Sequence, residues 1–394
     1  MEQWRREDFD HSPMIVFYEV TRACDLACKH CRADAQRARD PRELSEAEAR
    51  WLIRQVSQFP KKPLLVLTGG DPLKREDVFE LVREARDAGL MVAMTPSATP
   101  LVTTGAVELL HRSGLHRLAV SLDGADAATH DGFRRVEGSF RRTLDIMADA
   151  RRVGLPLQVN TTVARHNVDQ LDAIADLLAD KGIELWSVFF LVPTGRGQAD
   201  QRLSAEECEA VFEKLLHHAR HQPYAIKTTE APHYRRFVLQ RIKASGAGRA
   251  VGRGPGHAGT NDGKGVLFVS HTGEIYPSGF LPIPCGKFPL DSVVRVYQDA
   301  QLFRALRDAD RLGGKCGACE YREICGGSRA RSYALTGDPL AAEPDCAYVP
   351  PRWTRAPGSR DHGEVATRST EGVGDARPSR VVEELTASGS RVAR

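Results

Sequence analysis

The fold is decided by one stretch near the start of the chain, which reads Met14-Ile15-Val16-Phe17-Tyr18-Glu19-Val20-Thr21-Arg22-Ala23-Cys24-Asp25-Leu26-Ala27-Cys28-Lys29-His30-Cys31. Its apolar beginning is typical of a β-strand, and its end has the spacing C-x3-C-x2-C. Three thiolates on one short loop can hold three irons of a cubane cluster, whereas iron–sulfur clusters normally take four cysteine ligands. Because the next cysteine is Cys208, this spacing predicts an iron that stays open to a small molecule.

Zinc and disulfides are the other common uses of clustered cysteines. A zinc site usually closes a tetrahedron with a second pair of His or Cys ligands, which this loop lacks. Disulfides fit less well, because the chain has nine cysteines, an odd number, and no secretory signal. The loop therefore favours an open iron–sulfur site.

The composition is that of an ordinary globular enzyme. The 394 residues predict two domains or one large domain with an appendage. A net charge of +3 indicates neither a nucleic-acid nor a membrane partner. No run approaches the roughly 20 apolar residues of a membrane span. We expect a cytoplasmic protein, in which thiols stay reduced and cysteine clusters more often bind metal.

Apolar runs alternate with helical patterns through the first half of the chain. Such continuous runs are expected of strands buried on both faces of a parallel sheet. Six strand–helix units joined by right-handed crossovers predict an α/β fold, either a doubly wound sheet or an incomplete barrel. The predicted strands are Met14 to Val20, Leu64 to Thr68, Leu90 to Met94, His116 to Leu122, Leu157 to Val163 and Ile183 to Val192. Capping boxes at Ser45 to Glu48 and Ser204 to Glu207 mark two helix starts.

The unusual residues of this half fall where the predicted strands end. In parallel α/β folds, ligands bind at the carboxyl ends of the strands. The clusters are Cys24 to Cys31, Gly69 to Pro72, Thr95 to Ser97, Ser121 to Asp123, Asn160 to Thr162 and Pro193 to Arg196. Their position predicts one active site along this rim.

A second group of cysteines lies near the end of the chain. Cys316, Cys319, Cys325 and Cys346 have the spacing C-x2-C-x5-C-x20-C. Four cysteines suffice to saturate a second iron–sulfur cluster, and they also suit a structural zinc site. The spacing alone leaves both open, and the open-site cluster in the same chain favours iron–sulfur.

The composition divides the chain into five segments. Residues 351–394 mix charged residues, Ser, Gly and Pro with one aromatic, so we expect a disordered tail. Glycine is frequent between Ala244 and Gly265, which indicates a linker or an active-site lid. The predicted division is 1–13 as an extension, 14–222 as the strand–helix domain, 223–265 as a connecting segment, 266–350 as a second domain and 351–394 as the tail.

Together these motifs resemble the radical S-adenosylmethionine (SAM) superfamily with a SPASM/twitch-type C-terminal domain, over about Met14 to Pro350. The resemblance implies a partial (βα)6 TIM-type barrel in which Cys24, Cys28 and Cys31 bind a [4Fe–4S] cluster. The amino and carboxylate groups of SAM chelate its open iron. The remaining SAM contacts implied are His30 near the adenine, Gly69, Gly70 and Asp71 at the amino group, Ser121 and Asp123 at the ribose, Asn160 at the end of the fifth strand, and Leu191 on the adenine.

Several segments are similar to the alternative haem-biosynthesis branch, which includes haem b synthases and haem d1 maturases. Examples are Leu191 to Gly197, Asn261 to Gly265 and Cys325 to Arg331. This similarity implies an auxiliary [4Fe–4S] cluster on Cys316, Cys319, Cys325 and Cys346, and leaves Cys208 and Cys285 as ordinary thiols. A porphyrin substrate carries carboxylates, for which the candidate basic partners are Lys227, His233, Arg235, Arg329 and Arg331.

The implied activity is reductive cleavage of SAM to a 5′-deoxyadenosyl radical, which abstracts a substrate hydrogen. The protein supplies orientation and excludes solvent, while the cofactor does the chemistry. A low-potential donor such as ferredoxin or flavodoxin would supply the electron. Two alternatives remain open, a radical SAM/SPASM maturase of a ribosomal peptide and a non-enzymatic iron–sulfur or zinc protein.

Overall fold

A computed structural model describes residues 3–245, 259–353 and 380–386. Its centre is a run of parallel strands that alternate with helices, as the apolar runs predict. The strands are β1 (Ile15–Thr21), β2 (Leu64–Gly69), β3 (Met91–Met94), β4 (Arg117–Ser121), β5 (Leu157–Val163), β6 (Leu185–Phe190), β7 (Ala225–Thr229), β8 (Val266–Val269), β9 (Glu274–Tyr276) and β10 (Gly286–Lys287). All six predicted strands are confirmed.

The helices follow the strands in the order that a right-handed repeat requires. The capping boxes at Ser45 and Ser204 are both formed, each with the glutamate three residues on. The helices are α1 (Glu46–Val56), α2 (Val78–Asp87), α3 (Thr104–Ser113), α4 (Ala127–Arg134), α5 (Ser139–Arg152), α6 (Leu171–Ala179), α7 (Ala205–His221), α8 (His233–Ser245), α9 (Val293–Asp299), α10 (Gln301–Arg307), α11 (Gly314–Gly317), α12 (Arg329–Thr336) and α13 (Arg380–Thr386).

The ten described strands form one sheet in the order β10-β9-β8-β1-β2-β3-β4-β5-β6-β7. From β8 to β7 each neighbouring pair is parallel, whereas β9 and β10 run antiparallel beside β8. β1 therefore lies between β2 and β8, and the C-terminal half extends the same sheet as the N-terminal half.

The two faces of the parallel strands have different surroundings. Along β5, Leu157, Val159, Thr161 and Val163 are buried, and the alternate residues Gln158, Asn160 and Thr162 are half-buried. On β5 this alternation turns the buried side chains toward the helices and leaves the polar side chains of Gln158, Asn160 and Thr162 on the inner face. The structure thus has the parallel α/β architecture that the sequence predicts.

The segment predicted as a connection, 223–265, contains regular structure. β7 pairs with β6 as a seventh parallel strand, and α8 follows it. β7 was not predicted, because Ala225–Thr229 has a single large apolar residue, Ile226. Residues 246–258 of this segment lie outside the described part of the chain.

A smaller apolar cluster lies in the C-terminal half. It joins α10 to residues of α12 and of α13, including Leu302, Ala330, Val382 and Leu385. The helix α13 falls within the predicted disordered tail, and the prediction does not hold for these seven residues because two of their apolar side chains are buried. Residues 354–379 and 387–394 of the predicted tail lie outside the described residues.

None of the helices within residues 3–245, 259–353 and 380–386 combines the length and the apolar character that crossing a bilayer requires.

Candidate active site

The loop after β1 presents its three cysteines to one cavity. Cys24 and Cys28 are buried, Cys31 is half-buried, and all three line a cavity of about 830 Å³. All nine cysteines are free thiols, so none of the three is used in a disulfide. The three thiols thus line the same cavity, and their role as ligands of one cluster stays a prediction.

Each of the three sulfurs accepts a hydrogen bond from a nitrogen. Leu26 N lies 3.4 Å from Cys24 Sγ, Ala35 N lies 3.4 Å from Cys31 Sγ, and Arg134 Nη1 lies 3.6 Å from Cys28 Sγ. Such hydrogen bonds favour the thiolate form and are one of the features that set the potential of a cluster. The Cys24 thiol also donates to Ser97 Oγ at 3.3 Å.

The cysteine loop is held in place by the segment after β6. Arg196 donates from N to Cys31 O at 3.0 Å, from Nε to Cys28 O at 2.9 Å and from Nη1 to Ala35 O at 3.0 Å. Gly195 has a φ of +58°, and a Cβ there would lie 2.3 Å from Cys31 O. Both residues were predicted at the rim. Their contact with the cysteine loop has no signal in the sequence, because it is made to backbone atoms far away along the chain.

The turn after β2 packs directly on the same loop. Gly70 N donates to Thr21 O at 2.8 Å and Asp71 N donates to Ala23 O at 2.7 Å. A Cβ on Gly70 would lie 2.4 Å from Ala23 O, so only glycine allows this approach. The Asp71 carboxylate accepts from Thr99 Oγ1 at 2.6 Å and from Leu73 N at 3.2 Å, and burial raises the pKa of Asp71.

Asp123 lies behind the cavity wall with a partner that the sequence did not reveal. Its carboxylate accepts from Thr162 N at 2.7 Å and forms an ion pair with Arg134, the residue beside Cys28 Sγ. Burial opposes ionisation of Asp123, but the charge of Arg134 prevails and lowers the pKa of the carboxyl. Asp123 thus fixes a cation next to the cysteine loop. No sequence spacing signals the contact between Arg134 and Cys28, because the two residues are 106 positions apart.

His30 stacks on aromatic rings at the edge of the loop. Its ring centroid lies 4.1 Å from that of Phe133, with an angle of 3° between the planes, and Phe133 in turn stacks on His166 at 3.7 Å. Burial lowers the pKa of His30 to about 3, so its ring is neutral near pH 7. One face of the cavity wall is therefore a flat, uncharged ring.

Most of the predicted cofactor residues line this cavity, and two do not. Asp71 and Asp123 lie behind the wall in the hydrogen bonds given above. The predicted residues that line the cavity are Cys24, Cys28, Cys31, His30, Gly69, Gly70, Ser121, Asn160 and Leu191.

The wall of the cavity has an apolar side and a polar side. The apolar side comes from β1, β2 and β8, through Ile15, Phe17, Leu64, Val66 and Phe268. The polar side comes from β4, β5 and β7, through Arg117, Gln158, Asn160 and Lys227. A cavity of this volume is in the range that takes a small-molecule ligand.

In the second group of cysteines, Cys316 lies near enough to the other three thiols to affect their pKa values. Burial raises the pKa of the Cys319, Cys325 and Cys346 thiols, and in each case the nearby Cys316 raises it further. Basic side chains surround them: Arg329 Nη2 lies 4.0 Å from Cys316 Sγ and Arg236 Nη2 lies 4.0 Å from Cys346 Sγ. Cys208 is buried on α7, and Cys285 is half-buried and donates to Ile283 O at 3.5 Å.

Three of the five basic residues predicted for substrate carboxylates do not line the cavity. Arg331 forms ion pairs with Glu343 and Asp345, and Arg329 donates to Ala341 O at 2.6 Å. His233 is fully buried and packs against Phe212. The hypothesis that Arg329 and Arg331 bind substrate is wrong, because protein acceptors occupy them. Lys227 and Arg235 do line the cavity.

Comparison with known proteins agrees with this geometry. Residues 18–194 match the family model described as the radical SAM superfamily. An "AdoMet-dependent heme synthase" of Methanosarcina barkeri is 39% identical over 343 residues, which cover 86% of this chain and 98% of the relative. The chain belongs to the radical SAM superfamily. It is therefore an enzyme, and its family implies a [4Fe–4S] cluster and SAM.

Two further comparisons place this radical SAM enzyme among its relatives. A "Pre-heme d1 synthase" of Dinoroseobacter shibae is 29% identical, with 84% of this chain and 85% of the relative covered. The crystal structure of Streptococcus suis SuiB bound to precursor peptide SuiA superposes with a TM-score of 0.65 at 18% identity, covering 86% of this chain and 76% of that chain. The likeness to SuiB shows a shared fold.

Proposed function

We propose that this radical SAM enzyme forms haem by oxidative decarboxylation of propionate groups on an iron-coproporphyrin. The observation that carries the proposal is the 39% identity to a relative named AdoMet-dependent heme synthase, which extends over nearly the whole length of that relative. The cavity supports it, because an apolar wall opposite a polar wall suits a flat macrocycle with carboxylates on its edge.

In this proposal Cys24, Cys28 and Cys31 hold the catalytic cluster. Their free thiols line one cavity and accept N–H hydrogen bonds, so the donor set fits a cluster with one open iron. When bound, the cluster and SAM supply the 5′-deoxyadenosyl radical. We assign the SAM contacts to His30, Gly69, Gly70, Ser121, Asn160 and Leu191, which line the cavity.

Asp71 and Asp123 act from behind the wall in this proposal. Asp71 fixes the Gly69–Gly70 turn through Thr99 and Leu73 N. Asp123 holds Arg134 beside Cys28. Their buried carboxylates already have protein partners, so we propose that they position the turn and the loop.

The substrate reaction removes one hydrogen atom, carbon dioxide and one electron from each ionised propionate that reacts. With the chemistry that SAM would supply, a hydrogen atom would leave the carbon attached to the macrocycle and appear in 5′-deoxyadenosine. The bond to the carboxylate then breaks, carbon dioxide leaves, and a vinyl group remains. One electron must leave the substrate, so the enzyme needs an acceptor.

We propose that a second [4Fe–4S] cluster on Cys316, Cys319, Cys325 and Cys346 is that acceptor. The cationic side chains of Arg236 and Arg329 beside these sulfurs offset the negative charge of four thiolates. A low-potential donor such as ferredoxin or flavodoxin would reduce the catalytic cluster. We further propose a cytoplasmic location and a division into segments 14–222, 223–265 and 266–350, of which the second and third contribute β7 and β8 to the sheet of the first.

Cys325→Ala should remove the second cluster and keep the first. We expect the anaerobically reconstituted variant to lose roughly half of its bound iron, because a cluster normally needs four cysteine ligands. It should still cleave SAM with dithionite. Iron and zinc analysis of the wild type and the variant measures this, with Cys285→Ala as the control. Zinc in the wild type that disappears in Cys325→Ala would contradict the iron–sulfur assignment.

The proposed substrate is tested by turnover. The reconstituted enzyme, SAM and dithionite should convert iron-coproporphyrin III to a product lighter by one carbon dioxide and two hydrogens per reacted propionic acid group, as read by mass spectrometry. A panel of peptides should stay unchanged. Modification of a peptide without any change in the porphyrin would instead support the peptide-maturase alternative.

A further inference from the structure

Lys227 differs from the other cationic side chains that line the cavity. Within the described part of the chain, its ammonium group has no hydrogen bond and no ion pair. The arginines that line the cavity all have partners. Arg32 pairs with Glu19, Arg117 pairs with Glu184, Arg134 pairs with Asp123, and Arg235 donates to Ile324 O and Thr260 O.

The charge that affects the Lys227 ammonium group is that of another cation, Arg117. Burial, and secondly the charge of Arg117, lower the pKa of Lys227 to about 8, so the ammonium form still dominates at pH 7. Arg117 pairs through Nη2 with the half-exposed Glu184 at 3.1 Å, while its Nε is buried without a hydrogen-bond partner. Two cations that share one cavity create a positive potential there, which an anionic ligand would relieve.

The carboxylates of the cavity wall do not supply that anion. Glu230 accepts a hydrogen bond from Ser328 Oγ at 2.5 Å, and Asp262 accepts from Ala330 N at 2.9 Å. Both residues are thus tied to the start of α12. Burial raises the pKa of Glu230 well above its ordinary value, which favours its neutral form.

Lys227 and Arg117 lie on different strands of the cavity wall. Arg117 is the first residue of β4, whereas the cysteine loop follows the last residue of β1, a strand parallel to it in the same sheet. Arg117 therefore lies at the end of the cavity remote from the cysteine loop, and Lys227 lies in the middle of β7 on the same cavity wall. The apolar side of the wall, with Phe17 and Phe268, is available to the body of the same ligand.

We propose that Lys227, together with Arg117 of the same cavity, binds the carboxylates of the substrate that the reaction leaves intact. The inference rests on the proposed function and adds to it the group that orients the macrocycle. An ammonium group suits this task because it donates to a carboxylate from several directions. Holding the carboxylates that do not react at this end directs another propionate of the macrocycle toward the cysteine loop.

Binding measurements on the full-length, anaerobically reconstituted enzyme test this role. Iron-coproporphyrin III and haem, which retains two propionates, are titrated against the wild type and Lys227→Met by absorption. We expect Lys227→Met to weaken both ligands roughly tenfold, the usual effect of one lost hydrogen bond to a charged group. Lys227→Arg keeps the charge and should retain most of the affinity. Lys214→Met, which removes a lysine paired with Asp172 on the outer helices, should bind as the wild type does.

A second readout separates positioning from general damage. Lys227→Met should still bind SAM, but it should release more 5′-deoxyadenosine per vinyl group formed, because a loosely held substrate misses the radical. Wild-type affinity in both Lys227→Met and Arg117→Met would overturn the inference while leaving the proposed function intact. An equal loss in Lys214→Met would also overturn it. A wild-type enzyme that binds neither porphyrin would overturn both proposals.

Discussion

Cys24→Ala is expected to reduce the release of 5′-deoxyadenosine to below detection in an anaerobic assay with SAM and dithionite. Cys24 is one of three thiols that share the cavity, and its sulfur is fixed by Leu26 N and Ser97 Oγ. Two remaining cysteines cannot supply the three thiolates that a cubane cluster with one open iron requires. Iron analysis and the visible spectrum of the same preparation should show that the catalytic cluster is lost.

Cys208→Ala is the matched control for this experiment. Cys208 is also a buried thiol, but it lies on α7 in the apolar core. Its variant should keep both the iron content and the release of 5′-deoxyadenosine. Full activity in Cys24→Ala, or an equal loss of iron in the two variants, would remove the basis for assigning the catalytic cluster to this loop.

Arg331→Met is expected to lower the free energy of unfolding by about 3–5 kcal/mol, the usual result of breaking a buried ion pair from one side. The Arg331 guanidinium lies 3.2 Å from Glu343 Oε1 and 3.0 Å from Asp345 Oδ2, and the side chains of Arg331 and Glu343 are each 1% exposed. The substitution would leave the buried Glu343 carboxylate without its cation, whereas Asp345 would keep its ion pair with Arg202. The shift of the urea midpoint, followed by tryptophan fluorescence, measures the effect.

Arg304→Met provides the comparison for a surface pair. Arg304 and Asp299 lie 2.9 Å apart, but their side chains are 63% and 62% exposed, so water screens the interaction. Its loss should cost no more than about 1 kcal/mol. If Arg331→Met unfolded at the wild-type urea concentration and only weakened substrate binding, the discarded role of Arg331 as a substrate ligand would be right after all.

The sequence predicted the barrel well because its strands have a simple pattern. A strand such as β2 is covered on both faces and therefore requires apolar residues at consecutive positions. The run Leu64 to Leu67 has this pattern and was predicted as a strand. β7 is the last strand of the sheet and has a neighbour on one side only. Its sequence, Ala-Ile-Lys-Thr-Thr, therefore need not be apolar and gave no such pattern.

Site motifs formed by residues close together in the sequence were easier to predict than contacts between residues far apart in the sequence. The cysteine loop and the Gly69–Gly70 turn are defined by spacings of a few residues, and both line the cavity. The role of Arg331 was misjudged because its partners Glu343 and Asp345 come 12 and 14 residues later, where no pattern links them to it. The Asp123–Arg134 pair escaped notice for the same reason.

The place of β1 in the sheet has a consequence for how this protein can be divided. The strand that leads into the cysteine loop has β8 as its neighbour on one side, with Ile15 to Tyr18 opposite Val266 to Val269. A truncated chain that stopped before Val266 would expose an open strand edge, which invites aggregation. The N-terminal half therefore does not form a complete sheet by itself. An expressed chain must include β8 if β1, which leads into the cysteine loop, is to be paired on both sides.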